Sequence, residues 1–65
     1  MMDSLTTDAS PTAILIEDEV QIRRFVHTAL QSEGWQVFEA PTLAQGLSQT
    51  ATRKPEIVIL DLGLP

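Results

Sequence analysis

The sequence predicts an α/β chain, a βαβαβ run that makes half of a doubly wound parallel sheet. Three observations lead there. The runs Thr12–Ile16 (TAILI) and Ile57–Leu60 (IVIL) are continuously apolar, as strands covered on both faces are. The stretches between the strands carry apolar residues at helical spacing. Strands alternate with helical stretches of about 10–15 residues, the rhythm of parallel strands joined by right-handed crossovers.

Residues 1–11 mix polar residues with only Leu5 and Ala9 as interior apolar positions. They read as a disordered leader closed by Pro11. TAILI follows as the first strand and stops at Glu17, Asp18 and Glu19. Ile22, Phe25, Val26, Ala29 and Leu30 then share one helix face, with Gln21, Arg23, Arg24, Thr28 and Gln31 mostly on the other. Asp18 or Glu19 supplies negative charge at that helix's positive end, and Gly34 stops it. Gln36–Ala40 (QVFEA) is a more polar strand, as an edge strand would be. Pro41 breaks it, and Thr42 is placed to cap a second helix. Leu43, Ala44, Leu47 and Ala51 form that helix's core stripe, which Gly46 weakens. Lys54 before Pro55 ends it. IVIL is the third strand, ended by Asp61. The chain is expected to be truncated after this strand, with an unpaired edge at 57–60 that invites self-association.

Composition narrows the function. The chain has 65 residues, 43% of them apolar, too many for a disordered protein. Nine Asp and Glu against four Lys and Arg give a net charge of −5. That balance argues against direct contact with nucleic acid or an anionic membrane. There is no cysteine, so disulfides and cysteine zinc sites are excluded. No apolar run reaches the ~20 residues of a membrane helix, and the first ten residues lack a signal peptide's basic start. The expected location is cytoplasmic.

The chemistry lies in three acids just past the strand ends: Glu17 and Asp18 after the first strand, Asp61 after the third. Parallel strands bring both ends to the same side of the sheet, where open α/β folds bind ligands. Neighbouring strands are ~5 Å apart, so these carboxylates can converge. Converging carboxylates raise one another's pKa unless a cation neutralises them. Mg²⁺ suits a site of few carboxylates, several waters and a phosphoryl oxygen. Beside such an ion Asp61 could act as a nucleophile and form an acyl phosphate.

The residues ILIEDE (14–19), IRRF (22–25) and IVILDLGLP (57–65) resemble the N-terminal half of a response-regulator receiver domain. VFEA (37–40) and ATRKPEIVILDLGLP (51–65) point further to the regulators of potassium-uptake operons within that family. The resemblance covers residues 12–65. It implies a flavodoxin-like sheet with strand order 2-1-3 for the part present. It also implies phosphorelay signalling without enzymatic turnover: a sensor histidine kinase (KdpD-like) phosphorylates Asp61 with the help of Mg²⁺. Glu17 and Asp18 match the acidic pair that holds the ion, Asp18 more directly and Glu17 more often through water. The backbone carbonyl of Gly63 matches a further ligand. The family's Thr or Ser after strand four and Lys after strand five have no counterpart in the sequence.

Other readings compete. A truncated inactive fragment or kinase-binding decoy is one. A phosphatase-like fragment with an aspartate nucleophile is another, but such enzymes carry a second Asp two residues on, where Gly63 stands. A nucleotide-binding turn would need glycines where Glu17, Asp18 and Glu19 stand. His27 reads as a partly exposed structural residue and Trp35 as packing at a turn. Arg23 and Arg24 read as a solvated face in preference to a kinase-docking one. Arg53 and Lys54 read as terminal charge on the second helix.

Overall fold

A computed structural model describes residues 10–61. The expected leader falls almost wholly outside them, as does Gly63. Five elements follow in order: β1 (Thr12–Ile16), α1 (Val20–Ser32), β2 (Gln36–Ala40), α2 (Leu43–Arg53) and β3 (Ile57–Leu60).

The strands form one parallel sheet in the order β2-β1-β3, so β2 lies at an edge as its polarity suggested. Thr12 stands opposite Gln36 and Ile16 opposite Ala40, while Ala13 stands opposite Ile57 and Ile16 opposite Leu60. Hydrogen bonds carry the pairing past the strand ends. The Gln36 amide donates to the Pro11 carbonyl (2.8 Å), the Glu56 amide to Thr12 (2.8 Å), the Glu17 amide to Ala40 (3.1 Å) and the Asp61 amide to Ile16 (3.1 Å).

Side chains alternate between the two faces of a sheet. Ile14, Ile16, Phe38 and Ala40 pack together on one face, and α2 lies over it. Glu17 and Glu39 belong to the opposite face, where α1 packs, as the Arg23 and His27 contacts with Glu39 require. β1 is therefore covered on both sides: Ala13, Ile14, Leu15 and Ile16 are all buried. This is the arrangement its unbroken apolar run calls for.

The helix ends follow local chemistry. The Glu19 carboxylate accepts from the amides of Gln21 (3.1 Å) and Ile22 (3.4 Å), capping α1. At the other end Gly34 turns left-handed (φ +96°), and the Trp35 amide donates to Leu30 (3.1 Å). This closes the helix as a glycine C-terminal motif does. Thr42 Oγ1 accepts from the Gln45 amide (3.2 Å). A Thr42→Ala chain is expected to lose about 1 kcal/mol of stability, read as a shifted urea midpoint; an unchanged midpoint would show that the cap contributes nothing. Lys54 takes the left-handed conformation (φ 50°) before Pro55.

Two helix faces differ from expectation. Phe25 is 75% exposed, and Ile22 and Ala29 are exposed as well. The half-buried row of α1 is Arg23, Val26, His27 and Leu30, which also has helical spacing. Arg23 is thus part of the packed face and not a solvated one. His27 is half-buried, as expected. On α2 the Leu/Ala stripe is not core: Leu43, Ala44, Leu47 and Ala51 are exposed. The buried position is Gly46, with Gln49 and Thr50 half-buried beside it. The cause is steric. A Cβ at Gly46 would sit 2.1 Å from Ile16 Cδ1, so the bare glycine lets the helix backbone settle on the strand. On β3, Val58 and Leu60 are exposed while Ile57 and Ile59 are half-buried.

Candidate functional site

The register places Asp61 beside Glu17. Ile16 pairs with Leu60, and the next residue on each strand extends that pairing through the Asp61–Ile16 hydrogen bond. Glu17 and Asp61 fall on the same face, because both follow the odd-numbered pairs Ala13–Ile57 and Leu15–Ile59.

Glu17 is the buried acid of the three. It is 1% exposed, whereas Asp18 and Asp61 are open to solvent. Its backbone amide is held by Ala40 (3.1 Å) and its carbonyl by Arg23 Nη1 (2.8 Å). One carboxylate oxygen, Oε2, accepts from the Glu19 amide (2.8 Å). The other, Oε1, is buried with no hydrogen-bond partner among the described residues. A buried carboxylate oxygen without a donor is costly.

Several influences set the Glu17 pKa. The Glu19 amide is the strongest and lowers it. Hydrogen-bonding contact with the Asp61 carboxyl, loss of solvation, the Asp61 charge and contact with Asp18 all raise it. Together they outweigh the amide and leave the pKa above its ordinary value of 4.5. The three acids named from the sequence therefore bear on one another, with Glu17 as the hub.

The donors fit a hard divalent cation in kind and in charge, since all are oxygens, the sign is negative, and one buried oxygen lacks a donor. They do not form a cage. Among the described residues no group of three His, Cys, Asp or Glu side chains is assembled to hold an ion. Mg²⁺ binds through one or two carboxylates and keeps several waters, so a complete cage is not what it demands. Gly63, the further ligand implied by the resemblance, lies outside the described residues.

Sequence reasoning missed a cluster beside the site. Arg23 Nε donates to Glu39 Oε1 (3.1 Å), and His27 Nδ1 contacts Glu39 Oε2. The signal was present: Arg23 and His27 are four residues apart, and Glu39 shares strand parity with Glu17. It lost to the more apolar row of the same helix. Trp35 is half-buried at the helix–strand turn, in keeping with a packing role. Arg53 is not only terminal charge, because its guanidinium stacks 3.6 Å from the Phe38 ring centroid. No helix among the described residues is long and apolar enough to cross a membrane.

Comparison with known proteins agrees with this geometry. The family profile described as the response regulator receiver domain matches residues 13–65. The KDP operon transcriptional regulatory protein KdpE of Escherichia coli (strain K12) is 60% identical over 52 residues, 80% of this chain and 23% of that protein. The transcriptional regulatory protein KdpE of Mycobacterium tuberculosis is 46% identical over 52 residues, again 80% and 23%. The phosphate regulon transcriptional regulatory protein PhoB of Pseudomonas aeruginosa is 33% identical over 54 residues, 83% of this chain and 24% of that protein. The chain thus spans about a quarter of the length of these relatives.

Proposed function

The chain belongs to the response regulator receiver domain family, and from that premise we propose that it carries the phosphoryl-accepting, metal-holding part of such a domain, with Asp61 the acceptor. The observation that carries the proposal is that Glu17 and Asp61 follow the paired ends of two adjacent parallel strands on one face of the sheet, with Asp18 next in the chain to Glu17.

The donor in this proposal is a phosphohistidine on a sensor histidine kinase. An Asp61 carboxylate oxygen attacks phosphorus, an O–P bond forms as the N–P bond breaks, and the bonding pair leaves with the imidazole nitrogen. Bound Mg²⁺ would offset the negative charge that otherwise keeps a phosphoryl group away from three acids. Glu17, Asp18 and Asp61, with the Gly63 carbonyl, would hold it. The chain is an acceptor and not an enzyme in this reading. Its similarity to KdpE supports a KdpD-like kinase as donor, a role in transcriptional regulation and a cytoplasmic location. The exposed Val58 and Leu60 on β3 support self-association along that strand in the absence of a covering partner.

The test is phosphorylation of the chain by a small acyl phosphate with Mg²⁺, read as a hydroxylamine-labile label by mass spectrometry. Label is expected on the wild type and not on Asp61→Asn. Label that persists in Asp61→Asn, or its absence from the wild type, overturns the assignment.

A further inference from the structure

We propose that Arg23 is a positioning residue for the metal site, pinning the main chain of Glu17 while Glu39 holds its charge away from the acids. The inference rests on the metal-holding role proposed for Glu17.

Arg23 sits one turn into α1, where its own amide donates to the Glu19 carbonyl (2.9 Å). Its guanidinium reaches in two directions at once. Nη1 donates to the Glu17 carbonyl at 2.8 Å, and Nε donates to Glu39 Oε1 at 3.1 Å. The side chain is only 16% exposed, so the fork is held by packing. A planar guanidinium with several fixed donors can make both bonds; a lysine ammonium is a single point of charge.

The location of those bonds gives the role. Glu17 is fixed at its amide by Ala40, at its carbonyl by Arg23 and at Oε2 by the Glu19 amide. Oε1 accepts no hydrogen bond from a donor among the described residues. Arg23 thus fixes the backbone of the acid without occupying either carboxylate oxygen. An arginine at this distance could instead pair with the acid cluster and compete with a divalent cation. Glu39 prevents that by taking the other side of the fork. His27 contacts the other Glu39 oxygen, Oε2, so the Arg23 bond to Oε1 does not run through it. Outer partners of this kind orient the groups that touch a metal, and their loss typically lowers metal affinity about 10- to 100-fold.

Calorimetric titration of the chain with magnesium chloride tests this, with thermal unfolding followed by circular dichroism in parallel. Arg23→Ala is expected to weaken Mg²⁺ binding about 10-fold or more. Arg23→Lys keeps the charge but not the double contact, and is expected to bind more weakly than wild type. His27→Ala removes a Glu39 partner while leaving the Glu17 carbonyl held, and is expected to keep wild-type affinity. A purely structural role would move His27→Ala and Arg23→Ala alike; affinity loss confined to the Arg23 variants is the positioning signature. Wild-type affinity in Arg23→Lys, or an equal loss in His27→Ala, overturns the inference and leaves the site reading standing. Should Arg23→Ala fail to fold, the lysine and His27 variants carry the decision. A wild-type chain that binds no Mg²⁺ overturns the site reading and this inference together.

Discussion

Replacing Gly46 with leucine is expected to abolish cooperative folding. A Cβ at this position would lie 2.1 Å from Ile16 Cδ1 and 2.4 Å from Ile16 Cγ1. Ile16 is 4% exposed and belongs to the core cluster with Ile14 and Ala40, so it has little room to retreat. Alanine alone forces overpacking that costs about 1–3 kcal/mol. It regains about 1 kcal/mol from helix propensity, which makes Gly46→Ala mildly destabilising. Leucine adds three further carbons with no space for them and would lift α2 from the sheet. In a chain of this size the stability margin is small. Urea unfolding followed by circular dichroism should give a lowered midpoint for alanine and no cooperative transition for leucine. A Gly46→Leu chain with the wild-type midpoint would mean that α2 does not rest on β1 as described.

The second large effect concerns Glu17 and pH. Its pKa is raised in the folded state above the ordinary 4.5. The folded chain therefore holds this proton more tightly than the unfolded chain. The stability gained is complete below the ordinary pKa and is lost as pH rises through the raised value. Without a divalent cation, the chain should become less stable as pH climbs from the ordinary carboxylate range toward neutrality. Glu17→Gln removes the titrating group, so its stability should change less over that interval and exceed the wild type's at neutral pH. Added Mg²⁺ should stabilise the wild type at neutral pH through mass action and stabilise Glu17→Gln less. Denaturation midpoints measured across this interval, with and without magnesium, decide the matter. A wild type that gains stability as pH rises, with Glu17→Gln following the same curve, would remove the acid cluster from the account.

The strands and helix limits were legible because each is punctuated locally. Unbroken apolar runs mark β1 and β3, Gly34 and Pro55 mark turns, and Glu19 and Thr42 mark helix starts. The meeting of Glu17 and Asp61 was legible from topology alone, because parallel strands must end on the same side. The helix faces were not. On α1 two rows have helical spacing, and hydropathy favours Ile22 and Phe25, whereas the sheet takes Arg23, Val26, His27 and Leu30. What decides is Glu39, a residue from another element that satisfies Arg23 and His27 together. On α2 the deciding term is the absence of a side chain at Gly46, which a search for apolar stripes scores as a defect. In both helices the missing knowledge was tertiary.

The strand order also governs how the chain can fold. The middle strand of the sheet is the first to be made. Among the described residues every bridge in the sheet joins residues 24 apart, between β1 and β2, or 44 apart, between β1 and β3. Neither of these strand pairs is local, so each pairing must close a long loop before any bridge repays it. During synthesis β1 has no neighbour until residues 36–40 have emerged, and its second side stays open until 57–60 follow. Until then TAILI is an apolar segment without a partner strand, and the charges of Glu17, Asp18 and Glu19 follow directly at its end.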